Sequence, residues 1–594
     1  MWLPRINTPG YYLLLAALAM FILGPLGGVT AAYMNFSLGF FVGGQVLAGI
    51  LGSTVTYGYG VEGKHGANYM QTMAASVAGM AGMCVLIQAM VWLGLPQPPT
   101  WQLILFFLCI GMYGCGVGML YTPIVVDKMQ LTFPSGFAVA NILRALTDKR
   151  ILAQSVSKLG TGTLVGLIGG LAGMKVPAIE AVGMSTSTLG AGMVVGARIT
   201  IPAVVIGAVG EMLKPYLVSI GWLDEGAPFR KIGFILALGT IMGAAAVDIV
   251  LILMKAAQTW GESKTRVVAP EDDWSRTSNA RLFAWIAFWA VALFFVATRI
   301  LALPPLYVGI AMGLVLLFVL INGISTGISD SNPISSAFVV SVFILAAIGL
   351  KDAGVALMCG AILLVACSIG VDMQQDRSTG WRLKTNRTIQ FRFQAIGIVM
   401  GAVMTVAFAH VFMEAYPVLR ENTFVNKDVP GADKWQSAMT YKFVGAIKGI
   451  TESKPHVMKA LWIGLAIGLT VEILRKLLKA WKEYQDWIKS GKLAYGVGFV
   501  VDAVVLPSPY ASSFGGFVEF TTSLWFGVGG VMASYAETIK NEALKDAPKA
   551  PAGTAPDIPE DMSTTSLVGG GLIAGDSIAA LSIGVYGLLS QVFG

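Results

Sequence analysis

Phe133-Pro134-Ser135-Gly136-Phe137-Ala138-Val139-Ala140-Asn141 follows a strongly apolar run at 101–120 and precedes the basic residues Arg144, Lys149 and Arg150. Pro134 cannot donate to a helix ladder, and Gly136 lowers the cost of an irregular backbone. The flanking runs are long enough to cross a bilayer, which places the interruption at membrane depth. Irregular backbone is tolerated there only inside protein or beside a wet cavity. A second stretch of the same kind is Leu506-Pro507-Ser508-Pro509-Tyr510-Ala511-Ser512-Ser513-Phe514-Gly515. Matching interruptions in two halves of a membrane chain point to a substrate site at the midplane of a transporter.

Composition supports the membrane reading. Of 594 residues, 55% are hydrophobic and only 12% charged, with a mean hydropathy of +0.72. Soluble domains carry about 25% charged residues, so little room is left for a soluble enzyme. The 71 glycines suit close packing of helices through small residues. The net charge of +7 comes from positives between apolar runs, which fits a cytoplasmic loop bias and not a nucleic-acid surface. Cys84, Cys109, Cys115, Cys359 and Cys367 sit in apolar stretches without metal spacing and read as small buried hydrophobes.

Taken in order, spans are expected at about 12–30, 40–57, 69–92 and 102–120. Lys64 and His65 follow the second, whereas the link after the third is uncharged, which puts the N-terminus in the cytoplasm. After Pro134, 161–171 reads as a half-helix and 185–211 as a long Gly-, Ser- and Thr-rich segment. The stretch 258–281 reads as a cytoplasmic linker between an N-terminal repeat (1–257) and a C-terminal repeat (282–594). The segment 371–392, with Arg377, Arg382, Lys384, Arg387 and Arg392, reads as a cytoplasmic loop, and 413–459 as a polar loop. At 475–492 apolar and aromatic residues share one helical face against lysines, the pattern of an interfacial helix.

An internal repeat supports duplication. Gly190, Gly192 and Gly196 align without a gap on Gly569, Gly571 and Gly575, and Pro134-Ser135 matches Pro507-Ser508. Gln71 pairs with Gln394, and Asn35 with Asn332. The expected fold is an all-α polytopic membrane protein of about 16 transmembrane or re-entrant helices, in two related halves with broken helices at the centre.

Leu131-Thr132-Phe133-Pro134-Ser135-Gly136, Ser331-Asn332-Pro333-Ile334-Ser335, Met373-Gln374-Gln375-Asp376-Arg377-Ser378-Thr379-Gly380 and Gly569-Gly570-Gly571-Leu572-Ile573-Ala574-Gly575-Asp576 are similar, in order, to signature stretches of the oligopeptide transporter family, which includes the yellow stripe-like metal-chelate carriers. The resemblance implies a secondary carrier in the cytoplasmic membrane. It would be driven by a proton gradient and would import small peptides or metal bound to peptide-like chelators. It would need no cofactor and no nucleic-acid partner, and a homo-oligomer is left open. Pro507-Ser508-Pro509-Tyr510 departs from the family pattern where substrate would touch, so peptide and chelate both stay open.

A zwitterion at membrane depth needs hydrogen bonds and opposite charges, and half-helix N-termini supply free N–H groups to a carboxylate. Pro134, Ser135 and Asn141 at the first break, with Pro507, Ser508, Tyr510, Ser512 and Ser513 at the second, are therefore candidate substrate contacts. Ser331 and Asn332 beside Pro333 join them. Charges within spans are functional candidates by default. Arg198 is a candidate carboxylate ligand, and Asp576 and Asp248 are candidate proton carriers. Gly136, Gly190, Gly192, Gly196, Pro333, Gly569, Gly571 and Gly575 read as break or packing positions. Asp372, Asp376 and Arg377 read as a gate in a cytoplasmic loop. A channel or a membrane enzyme is the competing class: a two-copy design favours a carrier over a channel, and the sequence offers neither a nucleophile–base pair nor a metal-ligand cluster for catalysis.

Overall fold

Long apolar runs in lipid must satisfy their backbone internally, and every described element is a helix. The computed structural model describes residues 3–37, 45–147, 149–176, 184–233, 235–237, 239–244, 246–247, 251, 274–329, 332–422, 435, 437–451, 455–545 and 564–592. In chain order the first helices are α1 (Pro9–Leu18), α2 (Gly24–Ser37), α3 (Gln45–Thr56), α4 (Gly63–Ala81), α5 (Val85–Trp92), α6 (Thr100–Thr122), α7 (Pro134–Thr147), α8 (Lys149–Lys175), α9 (Thr186–Val195) and α10 (Ala197–Ser219). There follow α11 (Asn279–Phe295), α12 (Pro305–Ser329), α13 (Ile334–Ala347), α14 (Ala353–Leu383), α15 (Arg387–Ala415), α16 (Ala438–Thr451), α17 (Pro455–Ala480), α18 (Lys482–Ile488), α19 (Lys492–Val500), α20 (Pro509–Phe517), α21 (Phe520–Lys545) and α22 (Thr564–Val592).

Among the described residues nine helices are long and apolar enough to cross a membrane, and the bent pair Lys492–Val505 and Pro509–Gly516, 50° apart, makes a tenth. The chain is a multi-pass, all-α membrane protein. Those ten do not reach the expected sixteen; Thr186–Val195, Ala337–Ala347 and Leu567–Asp576 are apolar but too short to cross alone. The most apolar window of α14 is 89% buried, whereas that of α11 is 17% buried, so α14 lies at the centre and α11 faces lipid. Small residues let α6 lie on α14: a Cβ on Gly114 would stand 2.6 Å from Ala366 Cα.

One local order occurs at both of the breaks expected from the sequence, and also at the π-turn Val296–Ile300 between α11 and α12. A helix ends in a π-turn, the backbone breaks, and a new helix starts on proline. The first copy is α6, the π-turn Pro123–Lys128 and α7; the second is α19, the π-turn Val501–Val505 and α20. The helices that follow pair crosswise. The first helix after α7, α8, packs on α22, and its counterpart α21 packs on α9. Glycines make both contacts: a Cβ on Gly571 would lie 2.8 Å from Gly162 Cα, and one on Gly192 would lie 3.1 Å from the Gly530 nitrogen. Gly190 packs against α22, where its Cβ would meet that of Leu572 at 3.0 Å. Crosswise pairing of equivalent elements is the mark of a two-fold arrangement.

Three expectations need correction. The 371–392 segment is not a loop: α14 continues to Leu383, Lys384 turns at φ 58°, Asn386 caps α15 by accepting the Ile389 amide at 3.1 Å, and Asp376 and Arg377 are fully buried. The 161–171 stretch is the middle of α8, which has 27 residues and is no half-helix. The 185–211 segment is two helices, hinged at Gly196 with φ 81°. Within 413–459, residues 438–451 form α16, and 423–434 lie outside the described residues, as does most of 258–281.

Candidate transport site

The first break is strained and bolted down. Gln130 and Phe133 have φ of 49° and 45°, a region that bulky residues avoid. Phe133 is nonetheless fully buried, and its amide donates to the Gly327 carbonyl on α12 at 2.8 Å. Strain of this kind persists only where the surroundings over-determine it, and it clusters at functional sites. Gly136 lets the start of α7 lie on α14: a Cβ there would meet the Gln375 carbonyl at 2.8 Å. The Thr379 hydroxyl donates to the Gly136 carbonyl at 2.9 Å, and Arg382 donates to the Thr132 carbonyl at 3.0 Å.

The second break reaches the same helix. Tyr510 at the head of α20 shares one apolar cluster with Phe133, Val125 and Val126, and with Ile321 and Ile324 of α12. Ser512 and Ser513 donate to the Pro509 carbonyl within their own helix, and Ser513 also lies 3.1 Å from the Ala237 carbonyl. Their protons are thus engaged by backbone, although their lone pairs stay available. Asn332, beside buried Pro333, sits at a third interruption. Its amide group accepts from Asn322 of α12 at 3.2 Å and donates to the Cys367 carbonyl at 3.4 Å. Ser331 lies outside the described residues. Three breaks therefore meet the C-terminal half of α12.

Beside this junction lies a buried polar network on α4, α14 and α15. Gln71 accepts a hydrogen bond from the Asn68 side-chain amide at 2.9 Å and donates to Asp376. Gln390 donates to Thr72 at 2.9 Å and to the Asp376 carbonyl at 2.8 Å, and accepts from Arg377 at 3.0 Å. Arg377 also donates to the Arg387 carbonyl, and Arg387 forms a two-pronged ion pair with Asp127 in the π-turn before the first break. Asp372 faces Gly79, whose Cβ would meet its carboxylate at 2.9 Å. Asn322 Oδ1, Gln374 Oε1, Asp376 Oδ2 and Arg377 Nη2 are buried without a hydrogen-bond partner among the described residues. Buried polar groups of this kind are candidates to meet a polar ligand.

The network adjoins a cavity of about 610 Å³ lined by Tyr11, Tyr12 and Tyr69 with Glu62, His65 and Lys384. His65 Nδ1 is 3.1 Å from the Thr385 hydroxyl, and the Arg387 guanidinium stands 5.4 Å over Trp274 on the same wall. Aromatic faces with one acid, a lysine and a histidine suit an amphoteric molecule.

Other expected residues lie elsewhere. Asp576 is 9% exposed and accepts from the Thr186 hydroxyl at 2.9 Å, at the crosswise contact of α8, α9 and α22. Gly170 gives it room. Arg198 is half exposed and pairs at 3.4 Å with Asp502 in the π-turn before the second break. Asp248 lies outside the described residues. Gly569 packs on Gly190, and Gly575 on α8. Sequence reasoning missed Asn322, Gln374, Gln390 and the Asp127–Arg387 pair. The available signal was the amides within apolar runs, since each must find a partner in lipid.

A family model described as OPT oligopeptide transporter protein matches residues 10–586. The chain is 25% identical over 235 residues to the metal-nicotianamine transporter YSL2 of Arabidopsis thaliana, an alignment covering 36% of this chain and 34% of that protein. It is 26% identical over 233 residues to the probable metal-nicotianamine transporter YSL9 of Oryza sativa subsp. japonica, covering 37% of this chain and 32% of that relative. The matched part thus spans about a third of the length of each relative. With nearly the whole chain matched by one family model, the protein belongs to the OPT oligopeptide transporter family.

Proposed function

We propose that the protein is a proton-coupled symporter that imports small oligopeptides across the cytoplasmic membrane. One observation carries the proposal: three backbone breaks meet one helix next to unpartnered buried amides, a carboxylate and a guanidinium. Such a place pairs with a zwitterion's amide groups and charges after its water is lost. On this reading Pro134, Ser135, Asn141, Asn332, Ser508 and Tyr510 contact the substrate, with Asn322 and Gln374 beside them. Asp376 and Asp576 are the proton carriers, each a carboxylate inside the protein. The N-terminus, the turn holding Glu62 and the corner at Lys384 share one cavity. All three fall in segments that the positive-inside rule assigns to the cytoplasm, so this cavity is the inner mouth.

A second reading is import of a metal chelate. It is favoured by the names of the two plant relatives, both metal-nicotianamine transporters. The metal would enter as cargo, coordinated by its chelator. Uptake into proteoliposomes with an imposed pH gradient, competed by di- and tripeptides in one arm and by iron or nickel chelates in the other, separates the two. Saturable peptide uptake abolished by a protonophore supports the first reading. Competition by chelates alone replaces it with the second, and uptake indifferent to the gradient removes proton coupling.

A further inference from the structure

A second cavity, of about 380 Å³, opens far along the chain from the buried network and is lined by Arg198, Arg475, Lys479, Tyr484, Gln485 and Asp502. It is formed where α10 begins, α17 ends and the short α18 folds back on α19. Three cations face one carboxylate. Arg198 is held in place by Asp502 at 3.4 Å and by the rings of Tyr495 and Phe499, 5.1 and 5.9 Å from its guanidinium carbon. Arg475 is mostly buried, borders Glu472 at 3.8 Å and donates to the Leu506 carbonyl at 3.4 Å. Glu472 is itself shared with Lys476 at 3.2 Å, so it does not cancel the excess positive charge of the lining. The Tyr484 hydroxyl is buried without a hydrogen-bond partner among the described residues, and its ring stacks with Trp481.

The surroundings of the mouth are apolar. Leu493 is 84% exposed, and Leu477, Trp481, Tyr495 and Trp487 are exposed around it. Amphipathic aromatic side chains beside lysines at a span end mark the headgroup level of a bilayer. A cationic hollow inside such a collar takes an anion whose remainder is a lipid chain. Arg198 is accounted for here, by Asp502 and the two rings.

We infer that this cavity binds an anionic phosphate group, of the kind a lipid headgroup presents, with Arg475 and Lys479 as its principal cations and the Tyr484 hydroxyl as a further donor. The site touches the second break directly, because Arg475 holds the Leu506 carbonyl and Asp502 lies in the preceding π-turn. An anion there competes with Asp502 for Arg198 and with the Leu506 carbonyl for Arg475.

The test uses the full chain purified in detergent and supplied with phosphatidylglycerol, phosphatidylcholine or inorganic phosphate, read by native mass spectrometry for bound lipid and by thermal unfolding. Phosphatidylglycerol is expected to be retained and to raise the Tm, and phosphatidylcholine to do neither. Lys479→Gln, which removes an exposed side chain outside any ion pair described here, is expected to weaken phosphatidylglycerol binding about fivefold. Arg475→Lys is expected to keep most of it, and Lys489→Gln, just past the end of α18 and outside the lining, to leave it unchanged. A Tm rise with inorganic phosphate that is lost in Lys479→Gln supports the anion site with a soluble source. If neither phosphate source acts, or if both act equally on Lys479→Gln and the unaltered protein, the inference is overturned.

Discussion

At the scale of the residue, Gly136 and Asp376 carry the most specific expectations. A methyl group on Gly136 would press on the Gln375 carbonyl at 2.8 Å, and backbone on both sides cannot yield as a flexible side chain would. Gly136→Ala should lower stability by about 1–3 kcal/mol, as overpacking does, with a matching fall in Tm and loss of uptake. A variant with unaltered Tm would show that α7 does not rest on α14 in the working protein. Asp376→Asn keeps an acceptor for Gln71 but cannot exchange a proton. Substrate binding should survive while accumulation against a gradient is lost, measured as uptake with and without a protonophore. Asp576→Asn is the parallel experiment at the crosswise contact, and full gradient-driven uptake in either variant would excuse that residue. The breaks were readable at this scale because proline and glycine act locally. Phe133, which bears the strain, was not, since its left-handed backbone is imposed by α12 from nearly two hundred positions away.

At the scale of the element, the sequence was most misleading where polar residues run along a helix. The 371–392 segment carries five basic residues and was read as a watery loop. It is instead the end of the central helix α14 and the start of α15, because Asn68, Gln71, Thr72 and Gln390 supply the partners that water would have given. A hydropathy pattern records polarity but not who satisfies it. The glycine periodicity was more informative: Gly162, Gly166, Gly571 and Gly575 recur every four residues, the spacing that puts small residues on one face. Gly166→Leu should therefore wedge α8 from α22, since even a Cβ there would stand 2.9 Å from Leu572 Cα. The cost should exceed about 3 kcal/mol because the obstacle is backbone. Size-exclusion chromatography should show loss of the monodisperse peak, and a normal profile would contradict this packing. Leucine at Gly160, which faces open space, is the matched control.

At the scale of the whole molecule, the class was legible from composition and run length. What could not be read is that the equivalent helices cross over, with α8 on α22 and α9 on α21. No pattern within a half specifies its partner in the other. If the halves work as one body, a disulfide joining α8 to α22 between cysteines placed at non-glycine positions of the two helices should be tolerated, leaving uptake near its normal rate after oxidation. Arrest of uptake by that link would mean that this contact slides during transport.

The crosswise contact also sets a timetable for biosynthesis. Thr186 and Asp576, which meet by a hydrogen bond, are 390 residues apart. While a ribosome makes the intervening chain, α8 and α9 must wait in the bilayer with their glycine ridges open to lipid or to a neighbouring protein. The nascent protein therefore passes through a long-lived immature form. Quality control in the membrane has to spare that form until α22 arrives, and a stalled or shortened chain would leave the same ridges exposed for capture and degradation.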